Sequence, residues 1–461
     1  RNAFFHYLRD AVYHEKSFKD IAWELITGSG NNFDVTTGAV NFVIGSSTTM
    51  GPQQDTYDTM LAKSASTFLG LSYYDCILCH NGRGHLDQLS LWGSQATRLE
   101  ALRMAAFFSR QRLNVRPNNP QTCPATESCA GQFYFQSTLV NDAAAGAYDL
   151  NTNFGNRPNR IPIGNLRSLT PEYRLGGAPA ATESWREAFA NSLAADPMFA
   201  RNIVNRLWKQ LFNLGLVEPV DALDPARLDP ASPPPAPWNL QATHPELLEK
   251  LAVELVAMNY QLRPFLRRLV ESSAYQLSSR YEGDWKPEYV PLFARHYARR
   301  LEGEEIHDAI AQATGVAGSY MVFGWADPVE WAIQLPEPVE PRGNGAVNNF
   351  MNAFLRGNRD NQTRAQYGSI QQQLALMNDA FVNNRVRVTA SPRLRAIAQL
   401  TSNEEILNEI YTSFLSRLPT ENERGRALSF LSRSTTPAAR NTAVEDLAWA
   451  AINKVEFLFS Y

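Results

Sequence analysis

Two of the four cysteines in this chain lie three residues apart, and a histidine follows the second directly. The motif is Cys76-Ile77-Leu78-Cys79-His80. On a helical turn, residues three and four apart share one face, so two thiols and an imidazole could converge on a flat porphyrin. The thiols would become thioethers and His80 would be the axial ligand of the iron. The pattern therefore predicts one covalently attached haem c.

Two other kinds of site use closely spaced cysteines. A redox dithiol has Cys-x-x-Cys at the start of a helix that follows a strand, whereas here a predicted helix precedes the motif. A structural zinc site needs four ligands, and the remaining thiols, Cys123 and Cys129, form a close pair of their own. We expect that pair to form a disulfide in an oxidising compartment, with two free thiols in a loop as the alternative.

The residues that follow the motif could contact the rest of a haem. Arg83 is expected either to pair with a propionate through a two-point fork or to be a solvated arginine in a turn. Glycines at positions 82 and 84 predict a sharp turn, which places His85 near the haem rim or leaves it as a surface histidine bonded within the turn. Three aromatic side chains would shield the ring from water or belong to the core: Tyr73, Tyr74 and Trp92.

The sixth ligand of the iron stays open. Methionines at helical spacing are usually core residues, yet two of them lie in the helices that flank the motif. His85 starts on the same face as His80, so it would reach the opposite face only if the chain looped around the haem edge. The candidates are Met60, Met104, His14, His6 and His85, or a residue in a segment upstream of Arg1.

Two further patterns resemble functional sites less closely. Asp149-x-Asn151-x-Asn153 resembles the start of a calcium loop, but its glycine falls one place late and its twelfth position is Arg160, not a bidentate glutamate. The run RRLEGEEIHDA (299–309) could suggest acid–base chemistry. Such a run is usually the solvated face of a helix with arginine partners. We therefore predict neither a calcium site nor catalytic residues in these stretches.

The composition excludes several classes of protein. A formal charge of −3 predicts no strong attraction to nucleic acid or to anionic membranes. No run approaches the about 18 apolar residues of a membrane helix, so we expect no membrane-spanning segment. The first residues have the pattern of an amphipathic helix, and we expect any targeting peptide to lie upstream. A chain of 461 residues, 44% of them hydrophobic, is expected to fold into two or three domains.

Helical periodicity dominates the chain. Apolar residues recur at helical spacing in 61–71 and 99–108, on either side of the motif, and form a strong stripe in 202–212. Three sequence pairs predict capping boxes at helix starts. They are Thr243 with Glu246, Ser402 with Glu405, and Thr420 with Glu423.

Between about 114 and 182 the sequence changes character. Asn, Pro, Gly and Thr become frequent there, and short runs such as FYFQSTLV (133–140) resemble strands. We predict a mainly α fold in which two helical domains are joined by an irregular connector with a small β element. The predicted parts are 1–113, which would hold the haem, 114–182, which would hold the disulfide, and the C-terminal helical domain 183–461.

Two sets of residues resemble a known pair of domains. FLGLSYYDCILCH with a histidine close behind it, followed by LEALRMAAFF, resembles a cytochrome-like domain of unknown function that is abundant in planctomycetes and also occurs in acidobacteria and their relatives. NSLAADPMFARNIVNRLWKQLFNLGLVEPVD, THPELLEKLAVELV and DLAWAAINKVEFLFSY resemble the helical domain that usually follows it. Together the two resemblances cover nearly the whole chain.

The resemblance implies an exported protein, periplasmic or at the cell surface, with a possible sulfatase-like partner encoded nearby. It carries the haem roles onto Cys76, Cys79 and His80 by motif. Members often have a second histidine two residues after the motif. This sequence has Asn-Gly-Arg-Gly-His at 81–85 instead, which leaves the role of His85 open.

These observations lead to the hypothesis of an exported monohaem c-type cytochrome that transfers one electron at a time, with the helical domain as a scaffold or docking surface. A single haem exchanges electrons only with another redox centre, so the expected partner is a redox protein or further cytochrome subunits. Two alternatives stay open. One is a haem-dependent or polysaccharide-linked enzyme, and the other is a structural component of a surface assembly in which the haem staples the fold.

Overall fold

A computed structural model describes residues 2–48, 50–116, 137–357, 364–365 and 367–460. Helices dominate these residues and the strands form only small sheets, which confirms the predicted mainly α class. The described residues up to Tyr297 form one compact unit, and those from Ala298 onward form a second. The predicted boundaries at 113 and 182 rest on sequence character and stay a prediction. None of the described helices combines the length and apolar character that crossing a membrane requires.

The first unit contains eleven described helices. They are α1 (Asn2–Tyr13), α2 (Phe18–Thr27), α3 (Val40–Ile44), α4 (Gln53–Ser64), α5 (Tyr74–Ile77), α6 (Leu91–Gln95), α7 (Arg98–Ala105), α8 (Trp185–Ala195), α9 (Pro197–Phe212), α10 (Pro245–Ala257) and α11 (Leu262–Val270). Its described strands are β1 (Gly30–Asn31), β2 (Gln111–Arg116), β3 (Ser137–Asp142), β4 (Tyr148–Asp149) and β5 (Ser168–Leu169). Helices α4 and α7 flank the cysteine motif, as the periodicity predicted.

The described strands of the first unit form two small sheets. β3 lies between β1 and β2 in an antiparallel sheet, in which Val140 pairs with Gly30 on one side and with Leu113 on the other. β4 and β5 form a separate antiparallel pair. β3 overlaps the end of the predicted strand 133–140, and the earlier part of that prediction lies outside the described residues.

The second unit has eight described helices and one short strand pair. The helices are α12 (Gly303–Thr314), α13 (Gly345–Ala353), α14 (Ile370–Asn378), α15 (Ala380–Arg385), α16 (Pro392–Ala398), α17 (Asn403–Leu415), α18 (Glu421–Leu431) and α19 (Pro437–Ile452). β6 (Arg299–Arg300) pairs with β7 (Phe459–Ser460). Ile310, Phe350 and Ile410 are among the fully buried residues of its hydrophobic core.

Helix starts test the predicted caps directly. The Ser402 hydroxyl accepts the N–H of Glu405, which confirms the N-cap but not the reciprocal bond of a box, and Thr420 forms the full predicted capping box with Glu423. The predicted box at Thr243 is wrong. Its hydroxyl donates to the Leu216 carbonyl instead, and α10 begins one residue later, because Pro245 needs no N–H partner at the first helical position.

A fully buried ion cluster fixes α4 against the hairpin 152–160. Arg160 donates to the carboxylates of Asp55 and Asp58 at 2.6 and 2.7 Å, and its side chain is 0% exposed. The Tyr148 hydroxyl donates to Asp58 at 2.7 Å and accepts from Arg160 Nε at 2.7 Å. The backbone N–H of Asn156 donates to the second Asp55 oxygen. Each buried charge therefore has charge-assisted partners, as burial requires.

Replacing Arg160 with methionine should destabilise the protein by about 3–5 kcal/mol, because two carboxylates would stay buried without their counter-ion. Urea unfolding followed by circular dichroism measures the loss. Arg167→Met provides the control, since Arg167 is exposed and its side chain makes a long bond of 3.5 Å to the Gly164 carbonyl, and it should change stability by less than about 0.5 kcal/mol. Equal effects of the two substitutions would contradict a structural role for the cluster.

Candidate functional site

The cysteine motif begins on α5, directly after a sharp break from α4. The π-helical turn Ala65–Leu69 ends α4, and Gly70 follows with a φ of +70°. A Cβ at Gly70 would lie 2.0 Å from the Leu223 side chain, so only glycine fits this turn. The next residues are held by the backbone, since Ser72 donates to the Asp221 carbonyl and Leu223 donates to Gly70. This break aims α5.

The side chains of α5 and the turn after it divide between two faces. Tyr74, Ile77 and Leu78 are buried, whereas Cys76 is exposed and Cys79 is half-buried. The division follows from 100° per residue, which places positions 76 and 79 about 60° apart and opposite position 74. Both thiols therefore lie on the outer face, and the apolar side chains between them anchor α5 to the core.

His80 bonds to the backbone through one of its two ring nitrogens. Its Nδ1 lies 2.9 Å from its neighbour's carbonyl, Asn81 O, so it is Nδ1 that carries the proton in the neutral ring. The other nitrogen, Nε2, keeps its lone pair. A backbone carbonyl on one imidazole nitrogen is the usual arrangement when the opposite nitrogen binds a metal. The Asn81 side chain is fixed in turn, because its Oδ1 accepts the N–H of Arg98 at 2.9 Å.

The loop after the motif is tied back at both ends. Gly82 donates to the Ala96 carbonyl at 2.9 Å, and a Cβ on Gly82 would lie 1.7 Å from the Gly93 oxygen. The Asp224 carboxylate accepts the N–H groups of Leu91 and Trp92, which holds the start of α6. The loop between these anchors can therefore be short and turn sharply, as the glycines predicted.

The structure brings His85 against the motif and leaves Arg83 in solvent. The ring centroids of His80 and His85 lie 3.8 Å apart with an angle of 30° between the planes. An imidazole stacked in this way is on the same side as His80, which disfavours it as a ligand from the opposite side of an iron. Arg83 is exposed at the loop tip. Tyr73 is half-buried beside α5, and Tyr74 packs edge-on against Trp92 at 5.2 Å.

Arg157 lies against the motif, although the sequence analysis did not identify it. Its guanidinium donates to Cys79 Sγ at 3.5 Å and to the Asp75 carboxylate at 2.6 Å. A second arginine, Arg98, donates to the Leu78 carbonyl at 2.9 Å. Arg157 comes from the hairpin that the buried Arg160 attaches to α4. Only that tertiary contact places it here, so no local sequence signal could have found it.

The electrostatics of the thiols disfavour a reactive dithiol. Burial, the Asp75 carboxylate and Cys79 all raise the pKa of Cys76, whereas nucleophilic cysteines have a lowered pKa. Among the described residues, no three Cys, His, Asp or Glu side chains are placed to hold a metal ion by themselves. The raised pKa of Cys76 therefore argues against a dithiol that cycles between reduced and oxidised forms.

The other candidate ligands of the iron lie in different surroundings. Met60 is fully buried and its sulfur accepts from the Ser46 hydroxyl at 3.4 Å. The Met104 sulfur accepts the Arg174 N–H at 3.1 Å inside the core. His6 lies on α1, where burial lowers its pKa, and His14 is exposed just after α1. The predicted disulfide between Cys123 and Cys129 lies outside the described residues.

The acidic run 299–309 is not a solvated helix face, so that prediction is wrong in part. His307 is 0% exposed on α12, with Nδ1 2.8 Å from Asp308 and Nε2 2.6 Å from the Tyr320 hydroxyl. Phe381 packs on its ring at 4.4 Å. The Asp308 carboxylate also accepts two backbone N–H groups, at Ala332 and Ile333. The buried groups are satisfied within the core, and they secure the loop 320–333.

The acidic side chains of the same run do meet arginines, as predicted. Glu304 is buried, and Arg356 donates to it at 2.8 Å from a side chain that is itself buried. Glu305 pairs with Arg299 at 2.8 Å. These partners lie outside the helix that carries the run, so the ion pairs are tertiary contacts and not the i,i+4 pairs of an exposed face.

Comparison with known proteins identifies the later part of the chain. The model of the family described as PSD1, protein of unknown function (DUF1553), matches residues 185–431, more than half of the chain. This confirms the predicted domain of unknown function in that region; residues 76–80 lie outside the match. No curated protein and no solved structure gave a significant match.

Replacing Asp75 with asparagine should accelerate alkylation of Cys76, because the nearest negative charge would be removed and Arg157 would be left to stabilise the thiolate. We expect a rate about threefold higher at pH 8, because a larger fraction of Cys76 would be thiolate. Iodoacetamide labelling of reduced, haem-free protein followed by mass spectrometry measures it. Asp87→Asn, in the same loop, should leave the rate unchanged. A slower reaction in Asp75→Asn would contradict this electrostatic account.

Burial lowers the pKa of His307 below its ordinary 6.5, and Asp308 only partly opposes this effect. As pH falls below about 6.5, the unfolded chain takes up a proton there that the folded chain refuses, so stability decreases. His307→Gln should lower stability at pH 8 but remove up to about 1.4 kcal/mol per pH unit of the loss between pH 6.5 and 5.

Urea unfolding at each pH measures this difference, and His14→Gln is the matched control at an exposed histidine. The control should keep the pH dependence of the unmodified chain. An unchanged pH slope in His307→Gln would show that His307 does not titrate differently in the two states.

Proposed function

The chain belongs to the PSD1 family of proteins of unknown function (DUF1553). We propose that its residues 76–80 hold one covalent haem c for one-electron transfer. The observation that carries the proposal is the placement of three groups. The two thiols lie on the outward side of one short helix and its turn, and His80 follows them with Nδ1 bonded to a carbonyl, while the apolar residues between the cysteines are buried.

The residues present fit such a group. Cys76 and Cys79 are accessible enough to form thioether bonds, and His80 follows on the same turn. The Asn81 carbonyl fixes the tautomer of His80 and leaves Nε2 as the nitrogen that would bind iron. Arg157 holds Cys79 and Asp75 together, which keeps the second thiol oriented toward the outer face.

When bound, a haem c would supply reversible one-electron chemistry at iron. The protein's own contribution is to fix the group and to leave its edge accessible. Because Cys76, Arg83 and His85 are all exposed, a partner protein could approach this face closely. We propose that the partner is a redox protein or another cytochrome subunit, outside the cytoplasm, in the periplasm or at the cell surface. A sulfatase-like partner is proposed from family resemblance alone.

A second candidate function is haem-dependent catalysis, and one observation favours it. The sulfurs of Met60 and Met104 are engaged in the core, and His85 lies on the same side as His80. These three candidates would therefore need to move before they could bind the sixth position, and an open position permits reactions with small molecules. Carbon monoxide binding separates the two functions, since a six-coordinate electron carrier ignores it.

Replacing His80 with alanine should abolish the low-spin absorption spectrum and slow electron exchange at least tenfold, because the proximal ligand is lost while both thioethers stay. Stopped-flow reoxidation of the dithionite-reduced protein by a soluble c-type cytochrome measures the rate. His85→Ala is the control and should keep both the spectrum and the rate. If His80→Ala kept the unmodified spectrum, or if the unmodified protein did not exchange electrons, the proposed function would fail.

A further inference from the structure

A cleft of about 380 Å³ lies behind the motif, on the opposite side of α5 from the thiols. It is bounded by α5, α6, α7 and the segment after β5. Its walls include Tyr74, Trp92, Gln95, Glu100, Arg103 and Tyr173. The volume is within the range of small-molecule sites, which are commonly about 300–1,000 Å³. Every one of these side chains belongs to the first unit.

The Tyr74 hydroxyl is one polar group that the cleft offers to a ligand. The residue is only 3% exposed and lines the cleft. No described residue bonds to its hydroxyl, which is not among the fully enclosed unpaired atoms and therefore opens into the cleft. Burial also raises the pKa of Tyr74, so the hydroxyl keeps its proton and can donate. A hydroxyl in a cleft wall, with its ring fixed edge-on against Trp92, is a ready hydrogen-bonding group.

The two arginines that line the cleft are already paired. Arg103 forms an ion pair with Glu172 across one side. Arg174 donates to both oxygens of Asp196, at 2.6 and 2.9 Å, and the Tyr173 hydroxyl also donates to Asp196. Neither lining arginine is left to attract an anion such as phosphate, so the cleft disfavours anionic ligands.

The remaining wall groups alternate between aromatic and polar. Trp92 is half-buried and offers an apolar ring surface, while the Gln95 amide is exposed and has no partner among the described residues. One Glu100 oxygen caps α7 through Thr97, which leaves the other oxygen able to accept a hydrogen bond. An aromatic surface with amide, carboxylate and hydroxyl groups around it matches a ring that has C–H faces and a hydroxylated rim.

From these features we infer that the cleft binds a neutral, hydroxylated ring, that is, a single sugar residue. The C–H face would lie on Trp92, and the hydroxyl groups would bond to Tyr74, Gln95 and Glu100. This inference does not depend on haem attachment, since the cleft and the thiols lie on opposite faces of α5.

The test measures binding of the methyl glycosides of glucose, galactose, mannose and fucose to this 461-residue chain by saturation-transfer NMR and calorimetry. At least one should bind with a dissociation constant of about 1 mM, which suits a ligand of about a dozen atoms. Tyr74→Phe keeps the ring but removes the hydroxyl, and it should weaken binding about tenfold. Gln95→Ala, at an exposed position that should not disturb folding, should weaken it about threefold.

Tyr73→Phe is the matched control, because Tyr73 is the adjacent tyrosine and does not line the cleft. It should leave binding unchanged. The inference is overturned if none of the four glycosides saturates, if choline or glucuronate binds in their place, or if Tyr74→Phe and Gln95→Ala both bind as the unmodified chain does.

Discussion

The ion cluster around Arg160 is the contact on which the geometry of the motif depends. Arg160 joins two carboxylates of α4 from a position 105 residues away from Asp55. A buried arginine between two aspartates tolerates little displacement, because any separation leaves a charge unpaired in a medium of low polarity. The hairpin 152–160 is thereby fixed against α4. α4 is followed by the turn at Gly70 and then by the motif. The cluster therefore fixes both α4 and the hairpin relative to the motif.

A series of ion pairs connects the buried cluster to the surface. Arg157 Nε lies 3.8 Å from Asp58, which belongs to the buried cluster, and its other nitrogens reach Asp75 and Cys79. The series runs from the buried Asp58 through Arg157 to the exposed carboxylate of Asp75. The Cys79 thiol is therefore contacted by Arg157, which is itself fixed by Asp58 and Asp75. Support of this kind keeps a site within the small tolerances of its chemistry.

The short helix α5 contributes residues both to the outer face with the thiols and to the cleft. α5 has only four helical residues, yet it and the turn after it present Cys76, Cys79 and His80 outward and Tyr74 inward. A ligand in the cleft and a group on the outer face would contact the same rigid element.

Local sequence predicted the helices around the motif and two helix caps. The predictions that failed concern contacts made by residues far apart in sequence. Periodicity placed helices on both sides of the motif and a buried stripe on α9, and the caps at Ser402 and Thr420 followed from their own neighbours. Thr243 did not cap its helix, because a distant carbonyl at Leu216 offered its hydroxyl another partner. His307 and Arg157 were missed because their surroundings are built from residues far away in sequence.

The central claim is that Cys76, Cys79 and His80 hold an iron porphyrin, and the mass of the exported chain tests it most directly. The measurement combines the intact mass with a pyridine haemochrome spectrum after export from a host that attaches haem c. The account predicts a coloured protein heavier by one haem, with the spectrum of two thioether bonds and no thiol at 76 or 79 open to alkylation. A colourless protein of unmodified mass, with both thiols alkylated, would contradict it.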